Sequence, residues 1–151
     1  MLIAGPIITM TGGHGYYSGG EADGPDETRK LPRQLIKKGV DFIKVAATGG
    51  LASATTNPGQ RGYSAEEMRA IVEEAHRCGL KVSTHILARE GTLTSLEAGI
   101  DIFEHCWFLE TDRSTNYDEE LVQRMAEQGV VCCPTHATEY RLAEMIRFKM
   151  D

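Results

Sequence analysis

The sequence predicts an α/β protein built as an arc of parallel strands and helices. Three observations carry this: a repeated helix–glycine–strand unit, strict alternation of the two element types, and polar residues delivered at matching places on successive strands. The unit reads KKGVDFIKV, RCGLKVSTH, EAGIDIFEH and EQGVVCCPT, with its glycines at Gly39, Gly79, Gly99 and Gly129. A glycine at that place ends a helix in the left-handed conformation without steric cost.

Taken in order, an apolar run predicts a first strand over Ile7–Thr11. A helix precedes Gly39, and Pro32 is expected to break or restart it, because proline lacks the helical N–H. The next strand is Phe42–Ala46. Ser64 and Glu67 spell a capping box that opens a helix over Ala65–Cys78, with Met68, Ile71, Val72 and Ala75 on one face. Strand Lys81–Ile86 follows, then a short helix before Gly99, strand Asp101–Cys106, and a helix over about Asp118–Gln128 with Asn116 as N-cap. Strand Val130–Thr135 and the start of one more helix, Glu139–Met150, close the pattern. Alternation of this kind implies right-handed crossovers and a parallel sheet. Both an open doubly wound sheet and an arc of a (β/α)₈ barrel satisfy it.

Composition narrows the partners. The 151 residues, 41% hydrophobic and 25% charged, suit one soluble domain over 1–151. A formal net charge of −6 without a Lys/Arg block argues against nucleic acid, and no apolar run is long enough for a membrane span. The N-terminal stretch has no basic region of a signal peptide. Cys78, Cys106, Cys132 and Cys133 form no CxxC pair; free, mostly buried thiols in a reducing compartment are expected over a disulfide or zinc knuckle, which points to the cytoplasm.

Counted from the helix-ending glycines, Lys44 falls five residues on, and His85 and His105 each six on. Ligands of parallel sheets bind at the carboxyl ends of strands, so these three groups are expected to converge on one volume. Two imidazoles with a third ligand suit zinc or a similar divalent ion, with a position left open for water. Lys44 by itself also admits a Schiff-base nucleophile, as in a class I aldolase-like lyase, or a snorkelling charge. His76, amid Glu73, Glu74 and Arg77, reads as a solvated helix residue. The glycine-rich turns around His14 and at Gly49–Gly50 match no phosphate-binding fingerprint, and His14 is read as approaching a substrate from the strand ends.

The segments TMTGGHGYYSGGEADGPDE, DFIKVAATGG, YSAEEMRAIVEEAHRCGLKV and IFEHCWFL, with the histidine of KVSTH, resemble the imidazolonepropionase and prolidase-like branch of the amidohydrolase superfamily, in order and spacing over nearly the whole chain. The resemblance implies roughly the third to seventh strands of a TIM-type (β/α)₈ barrel. It also implies one or two divalent metals and hydrolysis of amide, peptide-like or cyclic amide bonds in small molecules. By position, Lys44 resembles the lysine that becomes carboxylated and bridges metals, and His85 and His105 the histidines of the next two strands. His14 resembles a histidine near the polar end of the substrate. Many relatives carry HxHG or HxYG where this chain reads His85-Ile86-Leu87-Ala88, so Leu87 replaces a polar contact. The HxH pair of the first strand and the proton-shuttling aspartate of the last have no counterpart here, which implies an incomplete catalytic set. A fragment that needs a partner chain, or that self-associates through open barrel edges, is the non-catalytic alternative.

Overall fold

The computed structural model describes residues 1–135, so the expected helix Glu139–Met150 lies outside it. Helix α1 (Gly24–Lys37), strand β1 (Ile43–Ala46), α2 (Ala65–Arg77), β2 (Val82–Ala88), α3 (Arg89–Ala98), β3 (Ile102–Leu109), α4 (Glu119–Glu127) and β4 (Val131–Cys133) follow one another. The four strands form one sheet in the order β1-β2-β3-β4, every neighbouring pair parallel. A doubly wound sheet needs a reversal of strand order to put helices on both faces. Here the order is sequential, and α1 packs on α2 and α2 on α3 in a single outer layer. That is the geometry of a barrel arc. The expected first strand shrinks to two bridges, Ile8 to Val45 and Thr9 to Glu21. Ile8 still extends the sheet, donating its N–H to Lys44 O at 2.8 Å and accepting from Ala46 N at 2.8 Å.

The unit grammar is realised locally. Gly39, Gly79, Gly99 and Gly129 all have φ between +70° and +83°. The capping box forms as written: Ser64 Oγ accepts from Glu67 N, and the Glu67 carboxylate accepts from Ser64 N at 2.8 Å. Met68, Ile71, Val72 and Ala75 face inward at 4% exposure or less, each worth ~1–3 kcal/mol of burial by side-chain size. They join Ile43, Val45, Val82, Ile86 and Phe103 in one continuous core between sheet and helices. Strand β2, flanked by β1 and β3, is buried at all seven positions.

Two local expectations fail. Helix α1 runs through Pro32 unbroken. Proline there removes one intrahelical bond, but Pro32 shares a buried face with Thr28 and Leu35, and that packing offsets the loss. Helix α4 is capped by Asp118, whose Oδ1 accepts from Leu121 N at 2.9 Å, and not by Asn116, whose Nδ2 donates to Glu110 Oε1 at 2.8 Å. No helix among the described residues is long and apolar enough to cross a membrane.

One charged side chain is buried in the helix layer. Glu74 on α2, 4% exposed, accepts hydrogen bonds from Arg29 and Arg33 of α1 and Arg77 of its own helix at 2.6–3.1 Å. The Arg33 hydrogen bonds are the largest of the effects holding its carboxyl well below the ordinary range. A depressed folded pKa stabilises fully above the unfolded value near 4.5, and that stability is lost as pH falls below it. Glu74→Ala is expected to cost about 2 kcal/mol, because the three arginines can turn to water while the α1–α2 clamp is lost. Glu74→Gln should flatten the acid side of the stability–pH curve in urea melts. An unchanged acid limb would remove Glu74 from this role.

Candidate metal centre

The sheet register shows how the polar residues meet. Lys44 pairs with Ser83, Ala46 with His85, His85 with Glu104 and Ile86 with His105. Lys44 therefore lies two residues deeper than His85, so the three are not at one level. Nor do the histidines end their strands, since β2 continues to Ala88 and β3 to Leu109. Alternation along a strand would send Glu104 and His105 to opposite faces. His105 has φ +75° and Cys106 φ +53°, both left-handed, which breaks the alternation. Non-glycine residues in that region cost about 1–3 kcal/mol each, and such strain gathers at functional sites.

Three imidazoles come together as a result. The His85 and His105 rings meet edge-on with centroids 4.7 Å apart, and His14 stacks on His85 at 4.0 Å and 17°. Gly50 admits this stack, because a Cβ there would stand 2.0 Å from His14 Nδ1. His85 Nε2 contacts Gly49 O at 3.1 Å; a carbonyl only accepts, so the proton sits on Nε2 and Nδ1 keeps the lone pair. His105 Nδ1 bonds Thr135 Oγ1 at 2.6 Å. Burial, helped by the neighbouring His14, His105 and Lys44, pushes His85 down to about 3, which keeps its ring neutral. Burial and the Lys44 charge also lower His14, whose buried Nδ1 has no hydrogen-bond partner.

Lys44 points into the same region, 17% exposed, in an ion pair with Glu104. Its Nζ lies 3.5 Å from Ser83 Oγ, which donates to Glu104 Oε1 at 2.8 Å. Burial lowers the Lys44 pKa against the pull of Glu104. Burial acts to raise Glu104, but the Lys44 ammonium and Ser83 hydroxyl outweigh it and hold the carboxyl below its ordinary range. Glu104 and Ser83 escaped the sequence reading because regular alternation puts Glu104 on the face opposite His105. The only signal was acidity one residue before a strand histidine. Among the described residues no group of three or more His, Cys, Asp or Glu is arranged to hold a metal ion. His85 and His105 are the two imidazoles expected as ligands; a third ligand from Lys44 requires carboxylation of its amine.

Other expectations are revised. His76 is not simply solvated: its Nε2 meets Asp101 Oδ2 at 2.8 Å, beside Lys81 on the same carboxylate. Leu87 is buried, with its N–H donated to Thr48 Oγ1 at 3.0 Å, so it presents no side chain to solvent. The four cysteines are free as expected, but Cys78, Cys132 and Cys133 are exposed and only Cys106 is half-buried. Cys132 and Cys133 sit on β4, which is the last strand of the sheet among the described residues.

Comparison with known proteins bears on this arrangement. The model of the Amidohydrolase family matches residues 1–147. Ochratoxinase of Aspergillus niger is 33% identical over 138 residues, which cover 89% of this chain and 27% of that protein. The crystal structure of A. niger ochratoxinase superposes with a TM-score of 0.80 at 30% identity, over 93% of this chain and 37% of that one. A Xaa-Pro dipeptidase with bound methionine in its active site gives 0.81 at 31% identity, over 95% and 37%. A prolidase complexed with N-methylphosphonate-L-proline gives 0.77 at 29%, over 87% and 35%. The chain thus spans about a quarter of the length of the curated relatives it matches.

Proposed function

The chain belongs to the amidohydrolase family, and from that premise we propose that it forms part of a metal-dependent hydrolase of C–N bonds in small amide, dipeptide-like or cyclic amide substrates. Members of this superfamily are metal-dependent, and the ion proposed here is zinc. The observation that carries the reading is the convergence of His85 and His105 beside Lys44. His85 Nε2 is held on Gly49 O, and His105 Nδ1 bonds Thr135 Oγ1. Anchoring one imidazole nitrogen orients the other toward an ion. His85 Nδ1, His105 Nε2 and a carboxylated Lys44 are the proposed ligands. Carboxylation turns an ammonium, which has no lone pair, into a donor with two oxygens, and it requires release of the Glu104 ion pair. His14, stacked on His85 with its Nδ1 buried and unpaired, is the proposed contact for a polar group of the substrate. When bound, the ion supplies Lewis acidity toward an amide carbonyl and makes hydroxide available near neutral pH.

The sequence contains no HxH pair, so one ion per chain is expected. Without that pair and an aspartate to take up the proton, the chain alone is expected to hydrolyse nothing above background. Calorimetric titration with zinc should give one site per chain, lost in His85→Ala and His105→Ala. Two tightly held ions, or N-acyl amino acid hydrolysis that vanishes in His105→Ala, would show a more complete site than the one proposed. The Schiff-base alternative leaves both histidines without a shared task. Free thiols fit a cytoplasmic setting. Among the described residues β4 is the last strand of the sheet, and we include self-association through its edge in the reading.

A further inference from the structure

Cys106 on β3 and Cys132 on β4 lie with their sulfurs 3.4 Å apart. The register alone does not bring them together, since Cys132 pairs with Phe103. In a regular strand Cys106 would stand roughly 10 Å further along. At the left-handed residues His105 and Cys106 the register of β3 against β2 shifts, and the Cys106 sulfur lies beside that of Cys132. Both cysteines line a cavity of about 560 Å³ with Trp107, Phe108, Val122 and Met125. Cys132 is exposed and Cys106 half-buried, so one sulfur meets a dissolved reagent and the other waits behind it.

We propose that Cys106 and Cys132 are a peroxide-sensitive pair that closes to a reversible disulfide, tying β4 to β3 one residue beyond His105. The Cys132 sulfur attacks one oxygen of hydrogen peroxide; the O–O bond breaks, water leaves, and Cys132 carries a sulfenic acid. The Cys106 sulfur then attacks the Cys132 sulfur; the S–S bond forms, the S–O bond breaks, and a second water carries off the remaining thiol proton. Two electrons pass from the two sulfurs to the peroxide, and two thiols with one peroxide give one disulfide and two waters. The sulfurs need to close from 3.4 Å to about 2.05 Å, a shift within reach of a strand of only three residues. Cys133, next to Cys132, points to the other side of the strand and is not the partner. A transient bridge of this kind is compatible with a reducing compartment, where thiol reductants reopen it.

The full chain, dilute and reduced, is treated with equimolar hydrogen peroxide, quenched with iodoacetamide and digested with trypsin without reductant. The expected product joins peptide 90–113, which carries Cys106, to peptide 125–141, which carries Cys132, with loss of two hydrogens. It should persist in C133S, revert with dithiothreitol, and fall at least about tenfold in C132S and C106S. A crosslink undiminished in C132S would assign the bridge to Cys133 and overturn the proposal. So would oxidation of Cys132 to sulfinic or sulfonic acid while Cys106 stays fully alkylated, or a bridge found only between chains.

Discussion

Lys44→Arg is expected to fold normally and to lose its divalent ion, with affinity at least about 100-fold below the unmodified chain. Arginine can keep the ion pair with Glu104, so the half-buried carboxylate remains paired and thermal stability should shift little. It has no lone pair and cannot be carboxylated, so the third ligand never forms. The substitution thereby separates metal binding from folding. Lys44→Ala should also lose the ion, but with a stability cost of about 1–3 kcal/mol for the unpaired Glu104. A short carboxylic acid should partly restore metal to Lys44→Ala, because it returns oxygens to the vacated space, and Lys44→Glu should retain some affinity for the same reason. Elemental analysis decides. Metal content in Lys44→Arg equal to that of the unmodified chain would show that Lys44 is not a ligand and that Glu104 alone explains its position.

The largest loss of stability is expected from Gly59→Ala, at about 3 kcal/mol or more. A Cβ there would stand 1.7 Å from Glu110 O, a backbone atom that cannot swing aside as a side-chain tip can. The same contact is held by Asn57 Nδ2, which donates to Thr111 O at 2.8 Å. The loop between β1 and α2 must therefore lift off the segment after β3. That loop also carries Gly49, whose carbonyl orients His85, so the ring cluster should loosen with it. Gly79→Ala is the control. It has φ +73° but nothing within 4 Å of the added atom, so only the left-handed backbone is strained, at roughly 1–2 kcal/mol. Chemical denaturation of the two variants should rank them in that order; equal losses would mean that the loop yields freely.

Much of the architecture could be read before folding because it is written in local chemistry. The capping box at Ser64 and Glu67, the 3.6-residue spacing of Met68, Ile71, Val72 and Ala75, and the helix-ending glycines each act within one or two turns of chain. Alternation of helices and strands followed, and the choice of Lys44, His85 and His105 as strand polar residues with it. The local pattern left a barrel arc and a doubly wound sheet both open; the family resemblance implied the arc, and the sequential strand order agrees with it. Only the sheet itself showed that Lys44 lies two residues below His85, since the slide of one strand on another is set by packing across the sheet. Left-handed backbone at His105 and Cys106 overrode the two-residue alternation that a sequence reader must assume. That override hid Glu104 as the partner of Lys44 and brought Cys106 against Cys132. The stacking of His14 on His85 joins residues 71 positions apart through a space that exists because Gly50 has no side chain. Local pattern determined which elements form and which residues carry the chemistry; long-range packing and a few strained dihedrals decided which of those residues touch.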